Sequence, residues 1–359
     1  MLIDKMHLKF FRNHIDFDIK FSPGINVIWG KNGVGKTSIL EAVYILSIGK
    51  SFKTNKIKEI INNKSKSLSV DGFFYDNEND LRISFQQFLG KSKIFKINGV
   101  KEVSKNIIGR FPVVLLSPEE EKTTKGQPSD RRKFFDKLFS LLSNDYLVEL
   151  IKYNSILKNR NNLLKLNIDY EVVLPWDVQL SRYGVNLWKK RLIYNQIFSD
   201  ILNNVSNKYN NNNTTISFTT NSQNLNEEEF VNVLKKTFQK DIITKRTNFG
   251  PHRDIYNFLL NGKDLKVFGS QGEHKLAFSL IKFAEYQTIK QETKRSPTIL
   301  LDDLFARLDS DKSANILKLL EDNTQTIITN TDLTDIKNRG INTNLPSNKD
   351  FYLEKIWKN

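Results

Sequence analysis

Residues Gly30-Lys31-Asn32-Gly33-Val34-Gly35-Lys36-Thr37 stand between a short apolar run, Ile25 to Trp29, and a helix-like run, Thr37 to Ile48. No other stretch constrains the fold as much. The pattern G-x-x-x-x-G-K-[ST] between strand and helix requires a buried strand whose C-terminal end opens into the loop, with the helix packed back on the same sheet. Glycines let successive N–H groups point inward at an anion, a concave nest backed by the helix N-terminus. Lys36 is then placed for β- and γ-phosphates, the Thr37 hydroxyl for Mg²⁺, and Ser38 closes the set. An ordinary glycine turn before a helix is the bland alternative, and the flanking strand and helix argue against it.

A second element answers the first. Thr298-Ile-Leu-Leu-Asp302-Asp303 is an apolar strand ending in two carboxylates, the form of a Walker B element. Asp302 is placed to hold Mg²⁺, directly or through water, and Asp303 to orient and deprotonate an attacking water, with Lys36 as its catalytic companion. Asp is also common as a strand or helix cap, so the pair acquires this meaning only alongside the upstream loop. Ser270-Gln271-Gly272-Glu273 opens a helix whose apolar face is Leu276, Ala277, Leu280, Ile281 and Ala284. By itself Ser-x-x-Glu is a capping box.

Around these elements the chain changes texture twice. Residues 1–30 alternate apolar and polar side chains (Leu8, Phe10; Ile15, Phe17, Ile19, Phe21) up to a Ser22-Pro23-Gly24 turn, which predicts an antiparallel strand pair. Residues 68–100 return to alternation, with Asn98-Gly99 as a hairpin turn. From Arg131 to Asn204 the pattern is helical, with Pro175 as its main interruption, and Asn210 to Asn213 reads as an exposed loop. After about residue 250 strand and helix alternate again, with Thr326 to Thr329 as a further buried strand. The expected architecture is α/β with a mostly helical insert: residues 1–125 and 250–359 form the two halves of one domain, and residues 126–249 the insert.

Composition removes several chemistries. The chain has no cysteine, which excludes disulfide scaffolds, Cys-ligated zinc, iron–sulfur clusters and thiol catalysis. Four histidines make a His-built metal centre a poor expectation. A hydrophobic share of 39% supports a real core. The N-terminus has no signal-peptide pattern and no run is long and apolar enough to span a bilayer, so a cytoplasmic protein with no membrane partner is expected. The net charge of +15, from 55 Lys plus Arg against 40 Asp plus Glu, suits nucleic acid, an anionic surface or an acidic protein.

The order of loop, Ser-Gln-Gly, Asp-Asp and then Leu308-Asp309 resembles that of ABC-type ATPases, in which the signature of one subunit caps the γ-phosphate on the other. More of the chain resembles the RecF family of DNA replication and repair proteins. The matching residues are Leu8-Lys-Phe-Phe-Arg12-Asn13, Pro23 to Thr37 with Leu40-Glu41-Ala42, Ser51-Phe52-Lys53, Gly126 to Asp136, Lys158 to Asn161, Trp176-Asp177, Gly250-Pro-His252-Arg253-Asp254 and Ser270-Gln-Gly272. The departures are Glu273-His274-Lys275, Arg307 and Ile255, and none removes a phosphate or Mg²⁺ group.

That resemblance implies an ABC/SMC-like P-loop ATPase head, a mixed β-sheet with helices, carrying the helical insert. It implies ATP and Mg²⁺ as cofactors, an ATP-dependent homodimer with Ser270, Gln271 and Gly272 acting in trans and Asp309 in the D-loop, and a weak, DNA-stimulated ATPase. It further implies binding to double-stranded DNA and gap junctions, and work with RecR and RecO in loading RecA in DNA repair, replication-fork maintenance and the SOS response. Candidate phosphate contacts are Arg131, Arg132, Lys158, Arg160, Lys189, Lys190 and Arg191; each cluster could equally be a solvated helix face. Arg253 and His252 could contact nucleotide, DNA or only structure. Two other functions fit the loop: a P-loop phosphotransferase, which leaves Ser270-Gln-Gly and the charge unused, and a structural SMC-like head that binds ATP without turnover.

Overall fold

The computed structural model describes residues 1–75, 80–166, 168–209, 214–220, 225–303 and 324–354. Two compact units emerge: residues 1–121 with 275–359, and residues 122–274.

The first unit starts with β1 (Leu2–Phe11) and β2 (His14–Lys20), an antiparallel pair. Along β1 the side chains of Ile3, Met6 and Leu8 are fully buried while Lys5 and Lys9 are not, the alternation of a sheet with one wet face. After β3 (Ile25–Trp29) and α1 (Lys36–Ile48) come β4 (Ser67–Tyr75), β5 (Asp80–Phe88), β6 (Ile94–Ile97), β7 (Val100–Glu102) and β8 (Val113–Leu116). Asn98 and Gly99 join β6 to β7 with φ of 48° and 85°. Positive φ at both central positions is what a two-residue type I′ turn needs, and Asn-Gly supplies it at least cost.

In the second unit, α2 (Pro128–Leu142), α3 (Asn144–Leu164), α4 (Tyr170–Lys208) and α5 (Glu227–Thr244) dominate. The expected interruption at Pro175 does not occur: α4 runs through it. Pro175 lies near the start of the helix, where its ring disturbs only the first-turn carbonyl of Glu171 and forfeits one hydrogen bond. A second correction concerns the insert's end. Residues 250–274, expected in the outer domain, group with the second unit, because β9 (Thr214–Thr219) pairs antiparallel with β10 (Ile255–Leu260), which pairs with β11 (Lys263–Asp264). Six cross-strand pairs tie Ile255–Leu260 to β9. Asn210 to Asn213 lie outside the described residues.

Helix α6 (Gln271–Thr293) then leads to β12 (Thr298–Asp302), β13 (Thr326–Asn330) and β14 (Lys349–Tyr352) in the first unit. Its predicted apolar face, Leu276, Ala277, Leu280, Ile281 and Ala284, is buried throughout. The first unit thus has two sheets, an antiparallel one in the order β2-β1-β4-β5-β6-β7 and a parallel one in the order β14-β3-β13-β12-β8. All four residues of β8 and all five of β12 are buried, the continuous apolar pattern of parallel strands covered on both faces. Sheet order matters for chemistry: β3, which carries the glycine loop, lies beside β13, and β12, which carries the two aspartates, lies on β13's other side. Among the described residues no helix is long and apolar enough to cross a membrane.

Candidate nucleotide site

At the end of β3 the loop turns through Gly30, Gly33 and Gly35, with φ of 146°, 82° and 105°. A side chain at Gly35 would be strained and would also come within 2.6 Å of Asn13 and His14. His14 is buried and its Nε2 donates to the Gly35 carbonyl at 3.2 Å. Burial pulls the imidazole's pKa down, opposed by that hydrogen bond, so the ring props the loop without placing a second cation in it.

Lys36 is 5% exposed, and its ammonium donates to the carbonyls of Gly30 at 2.7 Å and Lys31 at 3.0 Å. Burial lowers its pKa, against the pull of Asp303 and Asp302. The Thr37 hydroxyl donates to Asp302 Oδ1 at 2.8 Å, and Thr329 donates to the same oxygen at 2.8 Å. Asp302 therefore sits under the loop, its pKa raised by burial and pulled back by those two hydroxyls and by Lys53.

Asp303 is different in kind. Its backbone is left-handed, with φ of 48°, its N–H donates to Thr329 Oγ1 at 3.2 Å, and its side chain lines the cavity in front of the loop. Among the described residues its buried Oδ1 has no hydrogen-bond partner. A carboxylate oxygen held at a left-handed backbone position beside the cavity is placed to accept a proton there. The donor set here, a hydroxyl and a carboxylate in contact beside a lysine and a glycine-turned loop, fits a nucleoside triphosphate with Mg²⁺.

That cavity holds about 910 Å³ and is lined by Asn32, Gly33, Gly35, Lys36, Thr37, Ser38 and Asp303. Gly30 and Lys31 contribute carbonyls to Lys36, and Val34 is buried behind the loop. Its opposite rim brings in groups that the motifs alone did not assign: Arg12, Lys53, Lys58 and Lys64. A signal was present, since Lys50, Lys53, Lys56, Lys58, Lys64 and Lys66 fall in one short stretch with Glu59 as its sole acid. Arg12 is held by two hydrogen bonds to the fully buried Glu41, at 2.8 and 2.7 Å, and Ser51 also donates to Glu41. The resemblance at Arg12, Glu41 and Ser51 thus marks one ion-paired brace from α1 to the rim.

In the second unit Ser270 caps α6: Glu273 N–H donates to its hydroxyl at 3.3 Å, and Glu273 accepts the Ser270 N–H at 2.7 Å. Those bonds lower the Glu273 pKa. The capping box is therefore real, and Gln271 and Gly272 occupy the first turn. Asp309, with Phe305 to Leu308, lies outside the described residues.

Three of the predicted phosphate contacts are corrected by burial. Arg160 is 0% exposed and bound to Asp177, to Asp241 at 2.7 Å and to Thr247 at 2.9 Å. Arg191 is 2% exposed, between Asp136 and Asp254 at 2.7 Å each. Arg131 is 4% exposed and donates to the carbonyls of Tyr256 and Gly126. A buried guanidinium committed to carboxylates or carbonyls within the unit cannot also face solvent. Lys158 and Lys189 are exposed, Lys190 pairs with Glu149 at 3.2 Å, and Arg132 is half-buried.

His252 resolves as a structural group. Its Nε2 lies 2.9 Å from the Thr247 carbonyl, which can only accept, so that nitrogen carries the proton and Nδ1 accepts from the Tyr153 hydroxyl at 2.7 Å. Burial, opposed by the bond to Thr247 and reinforced by Arg253, Arg132 and Arg191, pushes its pKa down to about 4. An unfolded histidine titrates near 6.5, so as pH falls below that value the unfolded chain takes up the proton first. Stability is full above pH ~6.5 and is lost progressively towards pH ~4, by about 3 kcal/mol in total. Urea midpoints at pH ~7 and ~4.5 should therefore fall more steeply for the native chain than for His252→Asn; equal slopes would show that the ring is not held neutral.

A phosphate loop on a parallel sheet, an Asp-Asp strand end beneath it, a flanking antiparallel sheet and a Ser-Gln-Gly helix start together define an ATPase of the ABC/SMC class. In agreement, the model of the RecF/RecN/SMC N-terminal domain matches residues 2–343. Within that class the chain belongs to the RecF family. It is 38% identical over 350 residues to the DNA replication and repair protein RecF of Clostridium novyi, covering 94% of this chain and 95% of that one. With RecF of Lachnoclostridium phytofermentans it shares 35% over 349 residues, 96% of each chain. The solved structure of the recombination mediator RecF with ATP superposes with a TM-score of 0.85 at 30% identity, covering 93% and 92% of the two chains. An SMC head bound to the C-terminal winged-helix domain of ScpA, at 17% identity, covers 94% and 92% with a TM-score of 0.54 and shares the fold.

Proposed function

We propose that this chain is an ATP-switched DNA clamp of recombinational repair and replication-fork maintenance, with a slow, DNA-stimulated ATPase. The observation that carries this reading is the constellation of Lys36, Thr37 and Asp303 around one cavity, with Asp302 buried beneath it in contact with Thr37. The loop amides and Lys36 bind the triphosphate, Lys36 exchanging its two carbonyl contacts for phosphate oxygens. The Thr37 hydroxyl and the Asp302 carboxylate would hold Mg²⁺, which would supply neutralisation of phosphate charge. Asp303, at the cavity wall, holds the attacking water and takes its proton on its side-chain carboxylate. In this reading the working form is a cytoplasmic dimer in which Ser270, Gln271 and Gly272 meet the partner subunit's nucleotide, duplex and gap-junction DNA is the ligand, and RecR, RecO and RecA are pathway partners; the RecFOR pathway named for the similar RecF–ATP structure supports it. The working division is a head that binds nucleotide and an insert unit whose exposed Lys158 and Lys189 face DNA.

Sedimentation with ATP and Mg²⁺ tests the switch. Asp303→Asn should hold a stable ATP-bound dimer on DNA; a monomer at saturating ATP refutes the sandwich. Ser270→Arg should bind ATP and stay monomeric, and tight dimers would show that this loop does not meet a partner. DNA-stimulated turnover separates this function from an acceptor-dependent phosphotransferase and from a head that binds without turnover.

A further inference from the structure

In the second unit the segment Gly250 to Asp254 is anchored on the inside far more firmly than a surface turn requires. Gly250 has a φ of 130°, and a side chain there would collide with Tyr153. His252 is locked between Tyr153 and Thr247, as described above. Asp254 is 1% exposed and accepts from Trp188 Nε1 at 2.9 Å and from Arg191 at 2.7 Å. Arg191 also donates to the Pro251 carbonyl at 2.6 Å and reaches Asp136 at 2.7 Å. Every residue of this short turn except one is therefore buried, ion-paired or hydrogen-bonded inward.

The exception is Arg253. Its side chain is exposed, and no carboxylate pairs with it among the described residues. Arg132, on α2, reaches the same turn and donates Nη1 to the Asp254 carbonyl at 2.9 Å, one residue along from Arg253. Besides its partial burial, Arg132 feels Arg191 and Arg253 as like charges, offset in part by Asp136 and Asp254. The carboxylates nearby, Asp136 and Asp254, are taken by Arg191 beneath. Arg132 and Arg253 thus meet the same rigid turn, one hydrogen-bonded to it and the other presented from it, over acids that Arg191 engages. Like charges brought together cost free energy in the empty protein, and an oxyanion placed between them recovers it. Planar guanidinium groups match the paired oxygens of a phosphodiester better than ammonium groups do.

We propose that Arg132 and Arg253 form a built phosphodiester site, one fixed contact point of the insert unit on the nucleic-acid backbone. This rests on the DNA-binding function proposed above. It assigns a ligand to the Gly-Pro-His-Arg-Asp turn: the buried residues hold the turn and Arg253 is what it presents.

The test uses the full-length chain with ATP and Mg²⁺ and a labelled duplex of random sequence, titrated by fluorescence anisotropy over a series of salt concentrations. Each phosphate contact contributes about 0.9 to the slope of log affinity against log salt. Arg253→Ala should lower the slope by about 0.9 and weaken binding about eightfold at ~0.1 M salt, equally for all sequences. The double variant with Arg132→Ala should lower it by about twice that. Arg253→Lys should restore the slope while leaving affinity short of native, because the charge returns without the fork. Urea unfolding of Arg253→Ala should match the native chain, since the side chain supports nothing beneath it. A native chain that binds no DNA defeats the broader function. A native chain that binds, with an Arg253→Ala slope unchanged, overturns this site alone; loss of binding to an acidic polypeptide in that variant would reassign the pair to a protein partner.

Discussion

Replacing Arg160 with alanine should destabilise the second unit by about 3–5 kcal/mol, the usual consequence of deleting one partner from a buried ion pair. The side chain is wholly buried and holds Asp177 from α4 and Asp241 from α5, with Thr247 as a third partner. Its removal leaves two carboxylates inside the unit with no cation. Domains of ordinary stability have about 5–15 kcal/mol in all, so the melting temperature should fall by about 10 °C. Arg160→Lys should lose less, because the charge remains, but it cannot span both acids with one planar group. Urea and thermal unfolding measure both variants. A loss below about 1 kcal/mol for the alanine variant would mean that the acids reach water, and would return Arg160 to the list of surface contacts.

The second large effect is expected at Lys36. Alanine there should weaken ATP binding by at least about 100-fold, since two or more charge-assisted hydrogen bonds to phosphate, each worth about 1.5–3 kcal/mol, disappear together. The empty protein should respond too. Lys36 now ties the carbonyls of Gly30 and Lys31 together, so the variant should also show a looser loop, visible as faster amide exchange at Gly33 to Gly35. Calorimetric titration with ATP checks the first effect. Native-like affinity in Lys36→Ala would remove the loop from the nucleotide site.

The phosphate loop, the Asp302-Asp303 strand end and the Asn98-Gly99 turn were legible in the sequence because each is local: a few adjacent residues carry both the backbone demand and the chemistry. The insert's charges were not. Arg160 and Arg191 sit in helical stretches that read as basic surface, and their partners, Asp241 and Asp254, lie far along the chain. Nothing in the spacing of a lysine- and arginine-rich helix says which cations turn inward. The end of the insert was misplaced for a related reason: residues 255–260 look like any strand, and only pairing with β9 fixes which sheet they join. The lysines of the cavity rim escaped because no motif links Lys58 and Lys64 to the loop, although their density was visible.

The order of strands has a consequence for biosynthesis. Among the described residues β3 is flanked only by β13 and β14, so the strand carrying the phosphate loop has no sheet to join until residues 326–352 have left the ribosome. The second unit, drawn from the contiguous residues 122–274, has all its own sequence long before that. A growing chain therefore exposes its unpaired loop strand throughout most of its synthesis, while the unit proposed to meet DNA can already be folded. Nascent or truncated products should be unable to capture nucleotide, which confines the switch to finished molecules.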